Sequence, residues 1–135
     1  MNSTTGPTDR RRLPMAKAVT QIEGDAVASL VRAAQVPVLV EFSAKWCAPC
    51  RRQAARTAAV ARRMGPLAAC YRVDIEAGRK AASRFNILSV PTLIIFAGGA
   101  ERVRYVGIQP SATVVAALRR LAAPPVLPKS ESKIV

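Results

Sequence analysis

Cys47 and Cys50 stand three positions apart in the run Trp46-Cys47-Ala48-Pro49-Cys50-Arg51. Two thiols at that spacing lie within one helical turn, where a disulfide closes with little backbone movement. The apolar run Val38-Leu39-Val40-Glu41-Phe42 precedes them, and a long Ala- and Arg-rich helical pattern follows. Cys47 is therefore expected at a helix N-terminus, where unpaired N–H groups and the positive end of the dipole stabilise a thiolate. The thiolate is the nucleophile of disulfide chemistry. Half of a metal site, or a permanent staple, are weaker readings of the same pair. No second ligand pair exists, and a staple across two residues stabilises little. Cys70, in Ala69-Cys70-Tyr71-Arg72-Val73, alternates with its neighbours as a buried strand residue does and reads as a small apolar core residue; a regulatory thiol is the sharper alternative.

Composition narrows the chemistry further. The chain has 135 residues, 21 Lys+Arg against 8 Asp+Glu, and no histidine. A Ser–His or Cys–His catalytic pair and a His-ligated metal are thereby excluded. Half the residues are apolar, which argues for one domain with a packed core. No run approaches the roughly 18 apolar residues of a spanning helix, so no membrane partner is expected. Arg10-Arg11-Arg12 is followed by Pro14 and Lys17 rather than by an apolar stretch. That absence of a targeting pattern favours the cytoplasm.

These residues must be positioned by a domain, expected over 15–123 between loose tails at 1–14 and 124–135. Within it, 17–22 is a weak strand, and Val27, Leu30, Val31 and Ala34 form an amphipathic helix stopped before Pro37. Strand 38–42 follows, then a helix over 48–64 ended by Gly65-Pro66, a strand over 67–75 and a short helix over 79–85. Thr92–Phe96 and Arg102–Val106 form a hairpin through Gly98-Gly99. Ser111 reads as the N-cap of a last helix carrying Val114, Val115, Leu118 and Leu121 on one face. The order β-α-β-α-β-α-β-β-α implies an α/β fold, a central mixed β-sheet flanked by helices on both faces.

Nearly all of 15–123 resembles the thioredoxin family. The strand 38–42 with Trp46-Cys47-Ala48-Pro49-Cys50 is similar to that family's active-site strand and helix, Val90-Pro91-Thr92-Leu93 to its cis-proline segment, Gly98-Gly99 to its hairpin turn and Gly107 to a groove-lining glycine. The resemblance implies a thioredoxin fold and a protein-disulfide reductase, with Cys47 as exposed nucleophile and the more buried Cys50 as resolving thiol. It implies a cis Pro91 and backbone groups of Val90 offered to substrate. Trp46, Pro91 and Gly107 would rim the groove, with Ala48, Pro49 and Arg72 in support. No bound cofactor is implied beyond the redox-active Cys47–Cys50 disulfide. The implied partners are disulfide-containing proteins and a thioredoxin reductase as electron donor, acting on a monomer. Glu41 stands where the family has a buried aspartate, and would accept the Cys50 proton through a water. Arg72 stands where the family often has a lysine, and its permanent charge favours instead a structural Glu41–Arg72 pair. Ser43 replaces an aromatic residue, which opens one wall, and Leu88-Ser89 alter the groove's lip.

The formal charge is +13, of which the tails hold +3 and the domain +10. Arg51, Arg52, Arg56, Arg62 and Arg63 fall within one arc of about 140° on the helix, opposite Ala54, Ala58, Ala61 and Met64, which are expected to face the sheet. This basic face suits acidic protein partners. Nucleic acid is not expected, because one tryptophan, two tyrosines and three phenylalanines make few stacking platforms. The alternative function is a binding module whose basic helix engages an acidic protein or nucleic acid, with the cysteines incidental.

Overall fold

A computed structural model describes residues 18–122; the tails expected at 1–14 and 124–135 lie outside them. Five strands, β1 (Val19–Gln21), β2 (Val38–Ser43), β3 (Ala69–Asp74), β4 (Thr92–Ala97) and β5 (Ala100–Val106), form one sheet in the order β1-β3-β2-β4-β5. β1, β3 and β2 are parallel, while β4 and β5 run antiparallel to their neighbours. The helices are α1 (Val27–Ala33), α2 (Ala48–Met64), α3 (Arg79–Arg84) and α4 (Ser111–Ala122). The architecture is the mixed α/β sheet expected from the alternating pattern.

β2 lies at the centre, and all six of its residues are buried. Its alternate side chains supply two cores, one on each face of the sheet. Leu39 packs with Val60, Ala61 and Met64 of α2 and Val114, Val115 and Leu118 of α4. Val38, Val40 and Phe42 pack on the other face with Val27 and Val31 of α1 and Phe96 of β4. Phe85, just after α3, lies 5.9 Å from the Phe42 ring and 5.7 Å from the Phe96 ring, clamping that helix to the sheet. Glu41 shares the Leu39 parity, so it points to the α2 side.

The long helix begins at Ala48 and ends at Met64 as its pattern predicts, because Cys47 caps one end and Gly65 closes the other at φ +56°. Gly98 and Gly99 both take positive φ, which the tight turn between β4 and β5 needs. Strand ends differ from the sequence reading: β1 is shorter than 17–22, β3 starts at Ala69 behind a 3₁₀ turn at Gly65–Leu67 rather than at 67, and β5 starts at Ala100 rather than 102. Three further details differ. A short 3₁₀ turn, Gly24–Ala26, leads into α1. Ser111 is the first residue of α4 rather than its cap, and the Pro110 carbonyl accepts the N–H groups of Thr113 and Val114. The buried face of α2 is Cys50, Gln53, Thr57, Val60, Ala61 and Met64, whereas Ala54 and Ala58 are only half-buried. Helical geometry explains the shift: counted from Arg51, Gln53 and Thr57 fall at about 200° and 240°, opposite the arginine arc, while Ala54 and Ala58 fall at about 300° and 340°.

Cys70 is buried in the α2–α4 core, as its strand position implies. Burial pushes its thiol from 9.0 up to about 12. The unfolded chain therefore loses this proton first, so stability is retained below pH 9 and falls as pH rises toward 12. Iodoacetamide applied to the native oxidised protein at pH 8 should leave Cys70 unmodified, and labelling should follow unfolding in urea. Cys70→Ala should flatten the alkaline fall in stability, measured by denaturant midpoints at successive pH values.

Candidate active site

The active-site helix starts where the central strand ends. Cys47 keeps an extended backbone, with φ −94° and ψ 110°, and acts as the N-cap of α2; its Sγ accepts the Cys50 N–H at 3.2 Å. This is the first-turn donor that the spacing implied. Cys47 and Cys50 form a disulfide, with 5.2 Å between their Cα atoms. Pro49 sits in the first turn, where its missing N–H costs nothing, and Ala48 is exposed beside it.

Cys47 was expected to be exposed, yet only 5% of its surface is open. The cover comes from a distant segment. Val90 packs against the pair together with Ala44 and Ile75, and the Val90 carbonyl oxygen lies 3.7 Å from Cys47 Sγ. The Val90–Pro91 bond is cis. The Pro91 carbonyl accepts the N–H of Gly107, whose φ of +94° is a glycine conformation, at 2.8 Å. Trp46 is 63% exposed, and its indole N–H donates to Glu76 at 2.7 Å. Leu88 is 94% exposed on the same segment as Val90 and Pro91. Val90 is thus brought against the sulfurs, with Pro91 beside it, Gly107 bonded to Pro91 and Trp46 next to Cys47, from three segments of the chain.

Glu41 and Arg72 are register neighbours on β2 and β3, and Arg72 Nη2 donates to Glu41 Oε1 at 3.1 Å. The Glu41 side chain is fully buried, whereas Arg72 retains a quarter of its exposure. Glu41 Oε2 and Arg72 Nε have no hydrogen-bond partner among the described residues. Glu41, Arg72 and Cys50 all border one cavity of about 490 Å³, with Ser43 and Ala44 in its wall. Ser43, which stands where the resemblance has an aromatic residue, is buried in that wall.

Two contributors were not read from the sequence. Glu76 holds the Trp46 indole from a loop 30 residues away. Gln53 is buried within α2, and its side chain bonds both Thr57 and the backbone of Gln109. The helical angles above carried a signal for Gln53; nothing local marked Glu76. Among the described residues, no group of three or more Cys, Asp or Glu side chains is placed to hold a metal.

Comparison with known proteins agrees with this arrangement. The Thioredoxin family model matches residues 18–120. The chain belongs to the thioredoxin family. It is 32% identical over 118 residues to the chloroplastic M-type thioredoxin of Chlamydomonas reinhardtii, covering 84% of each chain. To thioredoxin 1 of Nostoc it is 33% identical, covering 76% of this chain and 96% of the other. It spans about half the length of the maize and pea M-type proteins, 51% and 49%. A Halobacterium salinarum thioredoxin mutant shares the fold with a TM-score of 0.74 at 22% identity, covering 82% of this chain and 96% of its own. The Cys47–Cys50 pair is accordingly the redox centre of a thiol–disulfide oxidoreductase. The cytoplasmic placement expected above is overturned, because the M-type relatives from Chlamydomonas, maize, pea and Arabidopsis are chloroplastic.

Removing one member of a buried ion pair leaves the other charge uncompensated. Because Arg72 is partly solvated, Glu41→Leu should cost about 2 kcal/mol rather than the larger penalty of a sealed pair. Glu41→Leu combined with Arg72→Met should recover most of that loss, as measured by urea denaturation of the oxidised protein.

Proposed function

We propose that the protein reduces disulfides of other proteins by two successive exchanges. The Cys47 thiolate attacks one sulfur of the substrate disulfide, forming a mixed disulfide and expelling the other substrate sulfur as thiolate. Cys50, deprotonated, then attacks Cys47 Sγ. The Cys47–Cys50 disulfide closes, and the second substrate sulfur leaves as thiolate. The dithiol has lost two electrons and the substrate has gained them. A reductase, of the kind that serves thioredoxins, restores the dithiol.

The observation that carries this reading is the Cys50 N–H on Cys47 Sγ, which marks Cys47 as the sulfur whose negative charge the helix end stabilises. An extended substrate segment would lie across Trp46, Pro91 and Gly107, pairing with the backbone of Val90. The exposed rings and side chains of Trp46 and Leu88 provide apolar contact there. Glu41 accepts the Cys50 proton. Two findings support that role: both residues border one cavity, and Glu41 Oε2 is not engaged by the Arg72 bond. The five exposed arginines of α2 would draw acidic partner proteins, since that helix carries no acidic residue. The protein acts as a monomer, without a bound cofactor, in this reading.

Cys47→Ser should abolish reduction of insulin disulfides, whereas Cys50→Ser should retain the first attack and accumulate a mixed disulfide visible by mass spectrometry. A fully active Cys47→Ser protein would end the proposal and favour the binding module. Glu41→Gln should slow turnover by about 100-fold, the low end of the usual contribution of a general base. Turnover unchanged across pH 6–9 would remove Glu41 from the proton transfer.

A further inference from the structure

A primary amide in a protein core costs free energy unless it is hydrogen-bonded, so a fully buried glutamine with two bonds marks a specific fastening. Gln53 is 0% exposed. Its Oε1 accepts the backbone N–H of Gln109 at 2.8 Å, and its Nε2 donates to Thr57 Oγ1 at 3.0 Å. Thr57, one helical turn further on, is itself fully buried and accepts the amide N–H, while the Gln109 N–H, a donor only, fixes the amide oxygen toward Gln109.

Gln109 lies in the segment 107–110 that joins β5 to α4 and begins with Gly107. Among the described residues this segment is fastened by two N–H groups. Gly107 donates to the Pro91 carbonyl, and Gln109 donates to Gln53. The first bond joins the segment to the stretch ahead of β4 whose Val90 covers the sulfurs. The second joins it to the helix that carries them. A closed circuit results, running from Cys47 along α2 to Gln53, across to Gln109 and Gly107, on to Pro91 and Val90, and back to Cys47 Sγ.

We propose that Gln53 is a positioning residue for substrate binding: its buried side-chain amide ties the segment carrying Gly107 to the helix carrying Cys47 and Cys50, and so fixes one wall of the groove relative to the reactive sulfur. The hydrogen bonds of the Gln53 side chain go to Thr57 and Gln109, not to the cysteines. Gln53 acts through Gly107, and this rests on the reading of Gly107 as a groove wall. A protein disulfide, which must lie along that wall, depends on the fastening. A small aromatic disulfide, which needs only the sulfur, does not. The chemistry itself stays with the N-terminal turn of α2, three residues before Gln53.

Single-turnover kinetics of the pre-reduced full chain separate this role from plain stabilisation. With Gln53→Leu, the half-saturating concentration of insulin should rise about 5-fold, the factor expected if the unfastened segment holds the groove conformation about one fifth of the time. The limiting rate, the second-order rate with 5,5′-dithiobis(2-nitrobenzoic acid) and the reduction potential should stay at wild-type values. Gln109 amide exchange should quicken while sheet amides stay protected. Gln53→Glu at pH 6 should keep insulin binding near wild type, because burial favours the protonated carboxyl, which reproduces both hydrogen bonds. Unchanged half-saturation in Gln53→Leu, or an equal loss with both substrates, overturns the proposal. Gly107→Ala is the companion: if it weakens insulin binding and Gln53→Leu does not, only the Gln53 role falls. If neither weakens it, the groove reading falls as well. Should Gln53→Leu fail to fold, fast exchange of the Gln109 amide in the wild-type protein overturns the proposal, and a protected amide supports it.

Discussion

A single backbone amide, the N–H of Cys50 directed at Cys47 Sγ, sets the terms for the rest of this molecule. That bond exists only if a helix begins immediately after Cys47, and the helix must begin at a fixed place. β2 supplies the place. Buried on both faces and paired on both edges, it delivers the chain to Ser43 with little freedom left, and four residues later the thiol caps α2. The far end of α2 is held just as firmly, because Val60, Ala61 and Met64 lock into a core shared with α4. A helix clamped along its length cannot readily rotate its first turn away from the sulfur. The chain has no histidine to share the work of stabilising negative sulfur.

Around this fixed turn, the loops are fastened by single hydrogen bonds, most of them from side chains, rather than by sheet ladders. The Thr92 hydroxyl donates to the Ser89 carbonyl at 2.7 Å, bracing the segment just ahead of Val90. Gly107 bonds Pro91, Gln53 bonds Gln109, and Glu76 holds Trp46. The Glu41–Arg72 pair couples β2 to β3 beneath the cysteines. Each fastening ties a segment that bears or supports a site group to a neighbouring segment. A site assembled from separate segments needs such ties, since loop backbones have no regular partners.

The uneven legibility of the sequence follows from that construction of local turns and distant ties. α2 was readable to the residue because its limits are local: a capping thiol with Pro49 at one end, Gly65-Pro66 at the other. β2 was readable because five positions, four of them apolar, run together at Val38–Phe42, and the strand extends one residue further to the polar Ser43. The cover over Cys47 was not, because it comes from Val90, 43 residues away, and no local pattern reports it. Gln53 and Thr57 were passed over for another reason. Their polarity assigned them to solvent, while their angular positions assigned them to the core, and the alanines beside them made a more obvious apolar face. Ser111 was misplaced by one position because Pro110 supplies the capping carbonyl, and a backbone group leaves no mark in a side-chain code.

The arginine arc was legible, and its five members are exposed as drawn. Its part in the chemistry depends on distance and solvent. The Cys50 amide is 3.2 Å from Cys47 Sγ, in a site from which water is largely excluded. The arginines stand in water on the opposite side of the helix from the core, where salt screens charges beyond about 8 Å at physiological ionic strength. Arg51, the member nearest the cysteines in sequence, has its guanidinium turned to the Lys45 carbonyl at 3.1 Å. Short-range amide and helix-end contributions therefore dominate at the sulfur. In the proposed function the arginines act on a different step: they would bias how an acidic partner approaches, a long-range effect on encounter that weakens as salt rises. On that proposal reactivity and recognition reside on one helix without interfering, the first in its buried N-terminal turn and the second along its wet face.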